Sequence, residues 1–127
     1  MMRAVVTSVV LAGVLLWARP AQSHHSNVAY EVTRVVTITG VVKEFRWVNP
    51  HTWLHLMVDE KGTQVEWQVE GRAPGVLLRA GWTKTSLKPG EKVTVDMSPA
   101  KDGSKVGIIA RITKEDGTIL SNQPTVQ

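Results

Sequence analysis

The segment His51–Glu70 reads HTWLHLMVDEKGTQVEWQVE, and the pattern of this segment decides the fold. Apolar residues alternate with other residues on both sides of a short break at Glu60-Lys61-Gly62, as in two strands that each bury one face. Two such runs joined by a turn that contains glycine predict a β-hairpin. The residues predicted to face the core are Leu54, Leu56, Val58, Val65, Trp67 and Val69.

A helix over the first of these runs is an alternative at this stage. Asn49-Pro50 could cap a helix that places His51 and His55 at positions i and i+4, a spacing that suits zinc. No glutamate follows His51, so the zinc metalloprotease motif is absent. The alternation that continues to Asp59 favours the strand.

The segments around the hairpin predict one helix and three further strands. Pro74 suits the first turn of a helix, and Gly81 suits its C-terminal end. Strands are expected at the β-branched runs, and the glycine inside the first run, Gly40, predicts a bend or bulge. These strands cover Val35–Trp47, Glu91–Met97 and Lys105–Thr113.

The predicted order is three strands, a helix and two strands, which is the order of an OB-fold. That fold is a small Greek-key barrel with five strands. A β-sandwich is the competing architecture, but it usually needs about seven strands and has no place for the central helix. We therefore predict a mostly β, OB-fold-like barrel over residues 35–120, with an N-terminal arm at 24–34 and a loose tail at 121–127.

The N-terminal residues 1–23 have the features of a cleavable signal peptide. Arg3 precedes an uncharged, mainly apolar run from Ala4 to Ala18, and Ala21 and Ser23 form a small-x-small cleavage pattern. The run is short for a bilayer span, which takes about 20 residues. An uncleaved membrane anchor is the alternative. Cleavage predicts a periplasmic or secreted protein without a stable membrane anchor.

The composition excludes some classes of partner and of covalent stabilisation. Without residues 1–23 the chain has 13 basic and 11 acidic residues, a net charge of +2. The basic residues are spread among acids rather than clustered in a stripe, which argues against nucleic-acid binding. There is no cysteine in the chain, so no disulfide holds the fold and no lipid is attached through cysteine.

The four histidines suggest a metal site at the mature N-terminus. Cleavage after Ser23 would make His24 the first residue, and its α-amine and imidazole could then chelate one ion. Nitrogen ligands in a square-planar arrangement suit Cu(II). A third nitrogen could come from His51 or His55, with His25 as a substitute for His24. Both strand histidines together are not expected, since positions four apart on a strand lie about 13 Å apart.

The outer face of the predicted hairpin is a second candidate site. Trp53, His55 and Glu66 lie on this face, and the same region of OB-folds is a common binding surface. An exposed tryptophan there could stack on a planar ligand or contact a protein partner. The alternative is that the arm or the helix covers Trp53, because tryptophan is mostly buried on average.

No pattern in the chain indicates catalysis. There is no glycine-rich phosphate loop, and Glu66 and Glu70 lie too far apart on one strand for paired-carboxylate chemistry. Ser26 adjoins His25, but neighbours on an arm do not form a catalytic dyad. We therefore expect a non-enzymatic protein.

The chain also resembles a family of small exported bacterial proteins that is catalogued as a domain of unknown function. The resemblance covers nearly all of the mature region. It implies a compact β domain in the periplasm or outside the cell, and it implies no established activity. His24, His25 and His51 match its pattern, whereas His55 stands where other residues are common. The matching segments are HHS at 24–26, TGVV at 39–42, WVNPH at 47–51 with Trp53, Trp67, APGVLLRAGW at 73–82 and SLKPG at 86–90.

These observations lead to two hypotheses of function. The first is an exported binding module for copper or another transition metal, with His24, His25 and His51 as candidate ligands. The second is an interaction module that holds a small ligand or a periplasmic protein on the face of Trp53, His55 and Glu66.

Overall fold

The computed structural model describes residues 29–123. Within this range the predicted strands and helix are all present, and a short sixth strand follows them. The elements in chain order are β1 (Val36–Arg46), β2 (Trp53–Glu60), β3 (Thr63–Glu70), α1 (Pro74–Arg79), β4 (Lys92–Pro99), β5 (Val106–Lys114) and β6 (Ile119–Ser121).

Five of the strands close into a barrel with OB-fold-like connectivity, as predicted. They pair in the order β3-β2-β1-β4-β5, and β6 extends the sheet beyond β5. The barrel closes where Gln68–Glu70 of β3 pairs in parallel with Val106–Ile108 of β5. All other pairings between these strands are antiparallel. The sandwich alternative is therefore wrong.

The hairpin β2–β3 follows the alternation of its sequence. Five of the six residues predicted to face the core are buried, and the sixth, Val65, is half-buried. The register is continuous from Trp53 opposite Glu70 to Glu60 opposite Thr63. His51 lies two residues before β2, so the helix alternative for this segment is wrong. Lys61 and Gly62 both have positive φ, which explains the tight turn.

The long strand β1 pairs with β4 through its first half and with β2 through its second half. The sequence predicts a bend or bulge at Gly40, but the irregularity of β1 lies between Val42 and Glu44, where its register with β2 shifts. Gly40 is instead buried at a close approach of strands. A Cβ at this position would clash with the backbone carbonyl of Met57.

The helix α1 packs against the core of the barrel through Leu77, which is fully buried. It begins at Pro74 and ends before Gly81, which has a φ of +88°, as expected of a C-terminal glycine. Trp82 then turns back into the core, where it is fully buried. Its indole Nε1 donates to the carbonyl of Ser121 at 2.7 Å, which ties the segment after the helix to β6.

Both ends of the described chain are attached to the barrel. Tyr30 forms a β-bridge with Ala100, and the amide of Glu31 donates to the carbonyl of Pro99 at 2.9 Å. At the other end, Asn122 is only 7% exposed. β6 and the buried Asn122 lie at the junction between the predicted domain and the predicted tail, which begins at residue 121.

Three of the sequence predictions concern residues outside the described range. These are the signal peptide at 1–23, the first part of the arm at 24–28 and the end of the tail at 124–127. Between residues 29 and 123, no helix has the length and apolar character needed to cross a membrane.

Candidate ligand-binding site

A groove of about 740 Å³ lies on the outside of the barrel, between the arm and the end of β6. The arm contributes Val32, the residue just before β1 contributes Val35, and the loop before β2 contributes Pro50 and His51. Glu70 at the end of β3 and Arg72 just after it supply two charged side chains. The lining also includes Ser98, Ile108, Ala110, Ser121, Asn122 and Gln123.

Three side chains connect the arm to the loop before β2. The hydroxyl of Tyr30 donates to Oε2 of Glu70 at 3.0 Å, and Nδ1 of His51 lies 2.7 Å from Oε1 of the same carboxylate. Burial, followed by the hydrogen bond to Glu70, raises the pKa of Tyr30 above its ordinary value. Tyr30 therefore remains a hydrogen-bond donor at neutral pH.

The contact with Glu70 engages Nδ1 of His51 and leaves the other ring nitrogen, Nε2, which could bind a metal, outside the contact. An ionised carboxylate only accepts hydrogen bonds, so in the neutral form of the His51 ring this contact places the proton on Nδ1 and the lone pair on Nε2. Histidines that bind metals usually donate their second nitrogen to a carboxylate in this way. The side chain of His51 is about half exposed, at 51%, so a ligand can approach it from solvent.

His24 and His25, the other predicted metal ligands, lie outside the described residues. His24 precedes Tyr30 by six positions, and six residues of extended chain span at most about 20 Å. Tyr30 is separated from His51 by a single carboxylate. The length of the arm therefore allows His24 to reach His51. Residues 29–123 alone do not bring three potential metal-binding side chains together.

The predicted face of Trp53, His55 and Glu66 is present on the outside of β2 and β3. Nδ1 of His55 lies 2.7 Å from Oε1 of Glu66, and Lys43 of β1 donates to Oε2 of Glu66 at 2.6 Å. The hydrogen bond from Lys43, and then that from His55, lowers the pKa of Glu66. The side chain of His55 is only 13% exposed, and Trp53 is half-buried.

The two strand-associated histidines are held by different carboxylates of β3. His51 contacts Glu70 and His55 contacts Glu66. These two glutamates are four residues apart on β3, which corresponds to about 13 Å. His51 and His55 thus belong to separate clusters, in line with the spacing argument from the sequence.

Sequence reasoning missed the roles of Tyr30, Arg72 and Asn122 at this groove. Tyr30 is the only tyrosine of the chain, and its position in a polar arm was the available signal. Arg72 and Asn122 gave no comparable signal, because the hydrogen bond from the backbone amide of Arg72 to the side chain of Asn122 joins residues 50 positions apart.

The comparisons with known proteins identify a family but no activity. A model described as a family of unknown function (DUF6152) matches residues 12–111. No curated protein matches the chain. The chain belongs to the DUF6152 family, in agreement with the resemblance found in the sequence.

Proposed function

We propose that this member of the DUF6152 family is an exported, non-enzymatic binding module for a transition-metal ion, with Cu(II) as the main candidate. His24, as the mature N-terminal residue, and His51 supply the ligands, and His25 is the substitute for His24. The observation that carries the proposal is the series Tyr30–Glu70–His51, which joins the arm to an oriented imidazole.

The donor set fits the chemistry of the ion. His24 offers an amine and an imidazole nitrogen, and His51 offers Nε2, which gives three nitrogen donors. Imidazole and amine nitrogens suit Cu(II) in a tetragonal geometry. Glu70 has the role that carboxylates have behind metal-binding histidines, because it fixes the ring and increases the basicity of the free nitrogen.

The proposal depends on export and on the position of the cut. A signal peptide that ends at Ser23 would release His24 with a free α-amine, in the periplasm or outside the cell. A cut elsewhere would leave His24 without a chelating amine. The intact mass of the exported protein therefore comes first, since it fixes the first residue.

Calorimetric titration of the mature protein with Cu(II) tests the site. Two variants remove its ligands: one extra alanine before His24 displaces the amine, and His51→Ala removes the third nitrogen. We expect both to bind Cu(II) more weakly than the unchanged protein. Glu70→Gln should weaken binding by about tenfold to a hundredfold, as other carboxylates behind metal ligands do.

The matched control for this titration is His55→Ala. His55 is held by Glu66, away from the arm, so its removal should leave Cu(II) affinity unchanged. Circular dichroism confirms that each variant is folded. If the added alanine and His51→Ala both leave the affinity unchanged, the metal proposal is wrong.

A second candidate function is a small-ligand or protein-interaction module on the β2–β3 face. It is supported by the ordered cluster His55–Glu66–Lys43 beside the half-buried Trp53. For this function, Trp53→Ala should abolish capture of a periplasmic partner, and His51→Ala should leave capture intact. The reverse pattern would exclude this face.

A further inference from the structure

The groove beside His51 carries exposed apolar side chains that have no part in the proposed metal site. Val32 is 74% exposed and Val35 is 62% exposed, and both lie along its arm side. Ile108 and Ala110 of β5 also line the groove and lie on the outer face of the barrel. Covering these side chains with an apolar ligand would remove their surface from water, which is favourable.

The groove has a built frame on the side of β6. The backbone amide of Arg72 donates to Oδ1 of Asn122 at 3.0 Å, and the amide of Asn122 donates to the carbonyl of Ala110 at 3.2 Å. Asn122 is 7% exposed, so these bonds are shielded from water. The backbone of Arg72, Asn122 and Ala110 is thus held together before any ligand arrives.

Arg72 offers the groove a cation that can pair with an anionic ligand. Glu70 is already occupied, since one oxygen accepts from Tyr30 and the other lies against His51. Arg72 is exposed, and no carboxylate of residues 29–123 lies within ion-pair distance of its guanidinium. Arg72 is therefore the charged group available to a ligand, and arginine pairs well with carboxylates.

We propose that the groove binds a small molecule with one carboxylate and an apolar body. The carboxylate pairs with Arg72, and the apolar body lies between Val32 and Val35 on one side and Ile108 on the other. The volume of about 740 Å³ falls within the range of about 300–1,000 Å³ typical of small-molecule sites. This function needs no metal and is independent of the copper proposal.

Binding of decanoate to mature protein in EDTA tests the groove. Amide chemical shifts are followed by NMR during the titration, and decanol and decylammonium serve as probes of the same chain length without the carboxylate. We expect saturable shifts at Val32, Val35 and Ala110 with decanoate, and weaker binding of the other two probes. Because the chelator removes metal ions, the result is independent of any copper site.

Two variants separate the carboxylate contact from the apolar contact. Arg72→Gln should weaken decanoate binding by about tenfold, as expected when a charge-assisted hydrogen bond is lost. Val32→Asp places a negative charge at an exposed position in the groove and should also weaken binding. Leu78→Asp is the matched control, because Leu78 is 56% exposed but does not line the groove.

Three results would overturn the proposal. The first is the absence of saturable binding, and the second is a set of shifts that maps away from the groove. The third is a combination of two findings: decanoate and decanol bind with equal affinity, and Arg72→Gln binds decanoate as tightly as the unchanged protein does. The exposed positions of Arg72 and Val32 allow both variants to fold, and their NMR spectra verify it.

Discussion

At the scale of single residues, Tyr30 has a contact that links three distant parts of the chain. It lies 40 positions from Glu70, and Glu70 in turn holds His51 from the loop before β2. The sequence predicted His51 as a site residue, but it offered no means of pairing it with Tyr30. That pairing depends on the path of the arm across Ala100, which only the closed barrel defines.

The titration of Tyr30 tests this contact directly. Tyr30 is the only tyrosine, so phenolate absorbance in metal-free protein reports on it alone. We expect a titration midpoint above the ordinary value of 10.0, because burial and Glu70 both raise the pKa. Glu70→Gln should lower the midpoint without restoring the ordinary value, since burial is the larger cause.

The same shift has a consequence for stability at high pH. The folded state keeps the Tyr30 proton more tightly than the unfolded state, so its contribution to stability is complete below pH 10 and is lost as the pH rises further. The free energy of unfolding, measured in urea, should fall less steeply with rising pH in Tyr30→Phe than in the unchanged protein. A midpoint at or below 10.0 in the folded protein would contradict the described contact.

At the scale of elements, β1 shows where sequence patterns are informative and where they are not. The alternation of β2 and β3 predicted their buried faces correctly, because each strand buries one side. The glycine of β1 suggests a bend or bulge in the sequence, whereas in the structure Gly40 makes room for β2. Local sequence does not distinguish these roles, since the close approach involves Met57 on a neighbouring strand.

Gly40→Ala should therefore destabilise the protein. The added methyl group would meet the backbone carbonyl of Met57, which cannot move without disturbing the β1–β2 pairing. Overpacking of this kind costs about 1–3 kcal/mol, measured as a lower free energy of unfolding in urea.

Gly75→Ala is the matched control for this substitution. Gly75 lies inside α1, and a Cβ there meets no atom within 4 Å. Since alanine is a better helix former than glycine, this variant should gain up to about 1 kcal/mol. Equal effects of Gly40→Ala and Gly75→Ala on stability would contradict the close approach at Gly40.

At the scale of the whole molecule, charged side chains connect neighbouring strands on the outside of the barrel. Asp96 of β4 accepts from Thr37 of β1 at 2.7 Å and pairs with Arg111 of β5. The hydrogen bond from Thr37, and then that from Arg111, lowers the pKa of Asp96. Glu60 has a similarly lowered pKa, caused first by Trp67 and then by Lys105.

These lowered pKa values predict a loss of stability in acid. The unfolded state has the higher pKa values, 4.5 for glutamate and 3.8 for aspartate, so it takes up protons first as the pH falls. The stabilisation of the folded state by these carboxylates is complete above pH 4.5 and is lost below it. Asp96→Asn should make the midpoint of urea unfolding fall less steeply as the pH is lowered. An unchanged dependence of the midpoint on pH would contradict the role of Asp96.

The fold of the whole molecule was largely predictable, whereas the site was only partly so. The order of strands and helix followed from alternation, turns and capping residues, which are local properties. The groove depends on residues that are distant in sequence, such as Arg72 and Asn122. The sixth strand was missed because Ile119–Ser121 is too short to form a pattern.

Electron paramagnetic resonance of the Cu(II)-loaded mature protein tests the central proposal most directly, because the spectrum reports the nitrogen atoms bound to the ion. We expect the spectrum of three nitrogens, two from His24 and one from His51. His51→Ala should show the loss of one nitrogen, and His55→Ala should leave the spectrum unchanged. Identical spectra for the unchanged protein and His51→Ala would contradict a site shared by the N-terminus and the barrel.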